Sequence, residues 1–109
     1  MYRPNRRDVT LTLAAAGLTA ALPARAAATH QVAITNFKFD PADLPIAAGD
    51  TVTFTNTDGA PHTVTADSGS FDSGRLNNGA AASMVFGSPG EYAYHCNFHP
   101  NMKGVIRVG

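Results

Sequence analysis

The sequence predicts an all-β, antiparallel sandwich of about seven short strands, built as one domain. Three observations point there: apolar and polar residues alternate in short runs, turn residues recur about every eight to twelve positions, and no helical spacing of apolar residues follows residue 26. With 109 residues, 44% of them hydrophobic and 15% charged, the chain suits one domain and is too apolar for disorder. A single Cys excludes an internal disulfide, a two-thiolate dinuclear copper centre and any four-Cys zinc or iron–sulfur site within one chain.

Residues 1–26 read as an export signal. Arg3, Arg6 and Arg7 form a positive start, Leu11 to Leu22 is apolar, and Ala24-Arg25-Ala26 is a small-x-small cleavage site. Arg6-Arg7 followed by Asp8-Val9-Thr10-Leu11 resembles a twin-arginine signal. The apolar run is too short to span a hydrocarbon core about 30 Å thick. The domain is therefore expected over residues 27–109, where four Lys and Arg stand against seven Asp and Glu, a net charge of −3. No basic cluster remains, so nucleic acid and anionic membrane surfaces are poor partners. A domain this small buries only about 60% of the surface its unfolded chain exposes, and a bound metal would add stability.

The strands follow in order. Gln31 to Thr35 alternates, with Val32 and Ile34 on one face, and Phe37-Lys38-Phe39 repeats the alternation before Asp40-Pro41 ends it. Ala48-Gly49-Asp50 turns the chain into Thr51 to Thr55, Asn56 to Pro61 turns it again, and His62 to Thr65 forms the next strand. Gly69, Gly74, Asn77, Asn78 and Gly79 mark a long loop, with room between residues 67 and 80 for one short turn of helix. Ala82 to Phe86, a Gly87-Ser88-Pro89-Gly90 turn, Glu91 to Cys96, an Asn- and Pro-containing loop, and Val105 to Val108 complete the set.

The chemistry gathers after the penultimate strand. Cys96-Asn97-Phe98-His99-Pro100-Asn101-Met102 sets a thiol, an imidazole and a thioether three residues apart in one turn. Singly, a strand-end Cys is a small buried hydrophobe and a nearby Met belongs to the core. Jointly they are a soft donor set, and His62, after Pro61, supplies a fourth group from upstream. Two imidazoles and a thiolate with a weak thioether make the arrangement of blue-copper electron-transfer sites.

At these residues the sequence resembles the cupredoxins, the type 1 blue copper proteins, and most closely their amicyanin branch. The likeness rests on Gly90 to Cys96, Cys96-x-x-His99-Pro100-x-Met102, Lys103-Gly104-Val105, Ala60-Pro61-His62 and Ala48 to Val52, and covers about residues 31 to 109. It implies a Greek-key sandwich of seven to eight strands. It implies one copper ion per chain, with His62, Cys96 and His99 as equatorial ligands and Met102 as the axial one. It implies an electron carrier of the bacterial periplasm that cycles Cu(II) and Cu(I), acts as a monomer and docks transiently to redox donors and acceptors near His99. Pro61, Phe98 and Pro100 are the expected apolar patch there.

Two departures from the family pattern carry expectations of their own. Thr63 follows His62 where an Asn commonly ties the ligand loops together, and its hydroxyl is expected to take over part of that task. Phe98 stands where amicyanin-like loops have Pro, leaving a backbone N–H that could point at the Cys96 sulfur. The competing function is a copper chaperone or storage module delivering Cu(I). No hydrolytic constellation or phosphate loop occurs, so no enzyme is expected.

The remaining candidates are structural. Alternation turns His95 to the face opposite Cys96 and puts Tyr92 and Tyr94 on the same face as Cys96. His30 is expected to be solvated, Met84 to sit in the core, and Phe71 and Leu76 to cap the sandwich.

Overall fold

A computed structural model describes residues 26–109. The expected export signal, apart from Ala26, lies outside the described residues. The strands are β1 (Thr29–Thr35), β2 (Lys38–Asp40), β3 (Asp43–Ile46), β4 (Asp50–Asn56), β5 (Thr65–Ala66), β6 (Ala81–Phe86), β7 (Gly90–His95) and β8 (Lys103–Val108). They form two four-stranded sheets, ordered β2-β1-β4-β6 and β3-β8-β7-β5. No helix occurs among the described residues, so the short helical turn expected between residues 67 and 80 is absent. That segment is pinned instead by bridges from His62 to Leu76 and from Thr65 to Asp72.

The sandwich is mixed rather than purely antiparallel. β1 pairs with β4 in parallel, and β3 pairs with β8 in parallel. The cause is the crossover: after the β1–β2 hairpin the chain passes through β3 in the second sheet and returns to the first beside β1. Local turn signals report reversals between successive strands and carry no information on which distant strand becomes the neighbour.

Strand β4 shows how the sequence builds the core. In Asp50-Thr51-Val52-Thr53-Phe54-Thr55-Asn56 every second residue is buried, so Val52 and Phe54 enter the interior while the threonines stay on the outer face. Val32, Ile34 and Phe39 join them from the same sheet, and Ile46, Tyr94, Ile106 and Val108 come from the opposite one. Leu76 is buried, and Phe71 lies edge-on to Phe86 at 5.6 Å, so both cap the sandwich as expected.

Tyr94 lies at the centre, edge-on to Phe39 at 4.7 Å and to Phe54 at 5.4 Å. Its hydroxyl is buried without a hydrogen-bond partner among the described residues, and burial pushes the phenol well above its usual pKa. Gly104 makes room for the ring. A Cβ there would fall inside contact distance of the Tyr94 Cζ and hydroxyl.

His30 is not simply solvated. Its Nε2 lies 2.9 Å from Oδ2 of the fully buried Asp50, which also accepts the N–H groups of Ala28 and Ala47. This carboxylate ties the start of β1 to the β3–β4 turn, a use of a polar residue that alternation alone does not reveal.

Candidate metal centre

Two loops at one end of the sandwich bring the donor atoms together. The first follows β4. Asn56 is fully buried, and its amide donates to the carbonyls of Ala60 at 2.9 Å and Leu76 at 2.8 Å. Its Oδ1 accepts the Asp58 N–H at 2.9 Å, so the turn from 57 to 61 is wound around one side chain. His62 then exchanges both backbone hydrogen bonds with Leu76. The expected strand from His62 to Thr65 is therefore reduced to Thr65–Ala66, because the backbone of 62–64 bonds to the loop and the site instead.

The second loop joins β7 to β8. Alternation in β7 sends Tyr94 and Cys96 inward and His95 to the other face, where it bonds Asp67 at 2.6 Å and Asn97 at 3.1 Å. The loop is closed tightly: Cys96 N–H donates to the Met102 carbonyl at 3.1 Å, and Met102 N–H to that of His99 at 2.8 Å.

Between these loops His62, Cys96 and His99 converge, with one donor atom of each lying within 4.8 Å of the others. Nδ1 of His62 is 3.7 Å and Nδ1 of His99 is 3.8 Å from the Cys96 sulfur. Cys96 and His62 are fully buried, whereas His99 is half-buried. Met102 is 4% exposed beneath the loop. A thiolate with two imidazoles is a soft, mixed donor set that suits copper, and burial of two of the three shields it from water.

The loops are tied to each other by Thr63. Its N–H points at the Cys96 sulfur at 3.4 Å, and its hydroxyl accepts the Asn97 N–H at 2.8 Å. The expectation for the Thr63 hydroxyl is met. A backbone N–H does meet the sulfur, and it is that of Thr63, from the other loop.

This geometry is that of a recognised family. Residues 9–108 match the cupredoxin-like domain. The chain belongs to the cupredoxin family. Amicyanin-alpha of Methylorubrum extorquens is 38% identical over 106 residues, covering 93% of this cupredoxin and 88% of the relative. Among solved structures, a purple cupredoxin from Nitrosopumilus maritimus superposes with a TM-score of 0.68 at 33% identity, over 73% of this chain and 99% of that one. A Cu(I) form of an amicyanin variant gives a TM-score of 0.72 at 32% identity, over 79% and 87% of the two chains.

Two residues of the cupredoxin site escaped the sequence reading. Phe37 was expected to share a strand face with Phe39, yet Asn36 and Phe37 take φ of 52° and 59°, in the left-handed region. The turn throws the Phe37 ring out of the sheet and edge-on against both imidazoles, 5.3 Å from His62 and 4.8 Å from His99. Asp58 lies in the Asn56 to Pro61 turn, with nothing in its sequence surroundings to mark it out. Its carboxylate accepts the N–H groups of Asn36 at 2.7 Å and Phe37 at 2.9 Å and lies 2.9 Å from His62 Nε2. The Phe37 N–H first, then those of Asn36 and His62, hold its carboxyl below the usual range, with burial opposing them. Asn36 is the sequence signal for the reversal, since a two-residue hairpin turn asks for positive φ and Asn adopts it readily.

Proposed function

We infer that this cupredoxin carries single electrons between redox proteins in the bacterial periplasm. One copper ion per chain is held by His62, Cys96 and His99 with Met102 as the weak axial group. The observation that carries the reading is the convergence of a buried thiol and two imidazoles from separate loops at one end of a rigid sandwich. Copper bound there supplies a one-electron couple between Cu(II) and Cu(I). The chain's part is to keep the ligands nearly still in both states. Thr63 clamps the two loops, the Cys96–Met102 closure fixes the thiol, and the Phe37 ring braces both imidazoles.

His99 is the exit for the electron because it alone of the three ligands reaches the surface. It lies beside a cleft of about 410 Å³ lined by Phe37, Phe98, Pro100, Asn101 and Met102. Phe37 and Phe98 are about half exposed and line that cleft with Pro100, which supports a small apolar docking face. Such a face suits brief encounters of modest area. The export-signal reading of residues 1–26 supports the periplasmic location.

Loading the mature chain with Cu(II) tests the function. The expected result is an intense thiolate-to-copper charge-transfer band in the visible, lost completely in Cys96→Ser, and reversible one-electron reduction. A protein that holds Cu(I), refuses a stable coloured Cu(II) state and passes the metal to an acceptor would be a chaperone instead.

A further inference from the structure

Asp58 does two things at once, and both concern the metal ligands. A carboxylate only accepts hydrogen bonds, so the 2.9 Å contact places a proton on His62 Nε2 and leaves the Nδ1 lone pair bare. That bare Nδ1 is the atom 3.7 Å from the Cys96 sulfur. The same carboxylate accepts the two N–H groups of Asn36 and Phe37, whose left-handed conformation is costly for a bulky aromatic and persists only where its surroundings demand it. The residue is itself anchored, by Asn56 on its N–H and by Asn78 on its carbonyl. Its side chain is 13% exposed.

We propose that Asp58 is a positioning residue of the metal centre: it selects the ligating tautomer of His62, strengthens that imidazole as a donor, and holds the Phe37 ring across both histidines, thereby favouring Cu(II) over Cu(I). The proposal rests on the copper reading above. A carboxylate behind a ligand imidazole raises its basicity, and a more basic ligand stabilises the higher oxidation state. The turn of Phe37 is part of the same device, since one side chain bonds both the ring behind the metal and the backbone of the residue covering it.

The test compares Asp58→Asn with wild type and with Glu91→Gln, which removes the same charge at the far end of β7. In copper-loaded Asp58→Asn the preference for Cu(I) over Cu(II) should rise about tenfold, a 59 mV increase in potential for one electron, while Glu91→Gln stays near wild type. In the metal-free protein the Asn36 and Phe37 amides should exchange at least about tenfold faster in Asp58→Asn, and the nitrogen-15 spectrum of wild-type His62 should show the proton on Nε2. A potential equal to that of the Glu91→Gln control overturns the proposal whatever the amides do, and so does a His62 protonated on Nδ1 alone. If Asp58→Asn fails to fold, pairing it with Asn36→Gly, which adopts positive φ freely, allows the same measurements. A wild-type protein that never forms the coloured state overturns the carrier function, a result separate from any of these.

Discussion

Two neighbouring layers of the interior, one around Tyr94 and one around Cys96, are built on opposite principles. Tyr94 lies on the inward face of β7, Cys96 continues that face one residue past the strand's end, and both are fully buried. Around Tyr94 everything is shape: Phe39 and Phe54 meet the ring edge-on, Gly104 leaves it room, and its hydroxyl has no partner. Around Cys96 everything is connectivity: Thr63 donates to the sulfur, its hydroxyl holds the next peptide, and Asp58 braces the imidazole opposite. The first layer tolerates an unmade hydrogen bond and should not tolerate an added atom. The second should behave the other way round.

The sharpest break is Gly104→Ala. The new Cβ would press into a rigid, fully buried ring rather than a flexible chain end. Denaturant unfolding should show a loss of about 3 kcal/mol, recovered in large part when Tyr94 is shortened to Leu. A Gly104→Ala protein as stable as wild type would mean that the layer is not closely packed.

Next comes Thr63→Ala, which takes away a buried methyl together with the hydroxyl that accepts the Asn97 N–H. We expect a loss of about 2 kcal/mol in the metal-free protein, with Thr63→Ser near wild type because it keeps the hydroxyl. Equal losses in both variants would assign the effect to packing of the methyl group.

Within the site layer the two histidines differ in access. His62 is fully buried with Asp58 behind it, and His99 is half-buried at the cleft. Added imidazole should restore the colour of copper-loaded His99→Gly faster than that of His62→Gly, by about tenfold for each 1.4 kcal/mol needed to open the buried slot. Stopped-flow mixing measures the ratio, and equal rates would remove the distinction between a fixed and an accessible ligand.

The smallest effect belongs to Tyr94→Phe. The hydroxyl has no partner, so its removal should change stability by less than about 1 kcal/mol near neutral pH. Above about pH 10 an unfolded tyrosine ionises while buried Tyr94 stays protonated, so the unfolded chain gives up protons first and stability falls as pH rises. Urea midpoints should show a shallower alkaline decline in Tyr94→Phe than in wild type.

The two layers also differed in how readily they could be read from sequence. Val32, Ile34, Val52, Phe54 and Tyr94 announce themselves by alternation, and all are buried as that pattern requires. The grouping of His62, Cys96 and His99 was legible as well, because a spacing of three residues and an upstream Pro-His are chemical signals. Phe37 and Asp58 were not. Phe37 obeys the strand pattern in sequence and breaks it in space, since the reversal at Asn36 and Phe37 is enforced by a carboxylate 21 residues further on. The partner of His30 is hidden for a similar reason: Asp50 opens β4, 20 residues away. The parallel neighbours of β1 and β3 fall in the same class, as pairings between segments distant along the chain.

The place of β8 has a consequence for folding. It is the strand that joins β3 to β7, so the second sheet stays in two pieces until β8 docks. The loop bearing the thiol hangs between β7 and β8 and acquires its closed shape only when that strand docks. Until then the free sulfur has no finished pocket around it, and that interval is when oxidation or stray metals have their best chance.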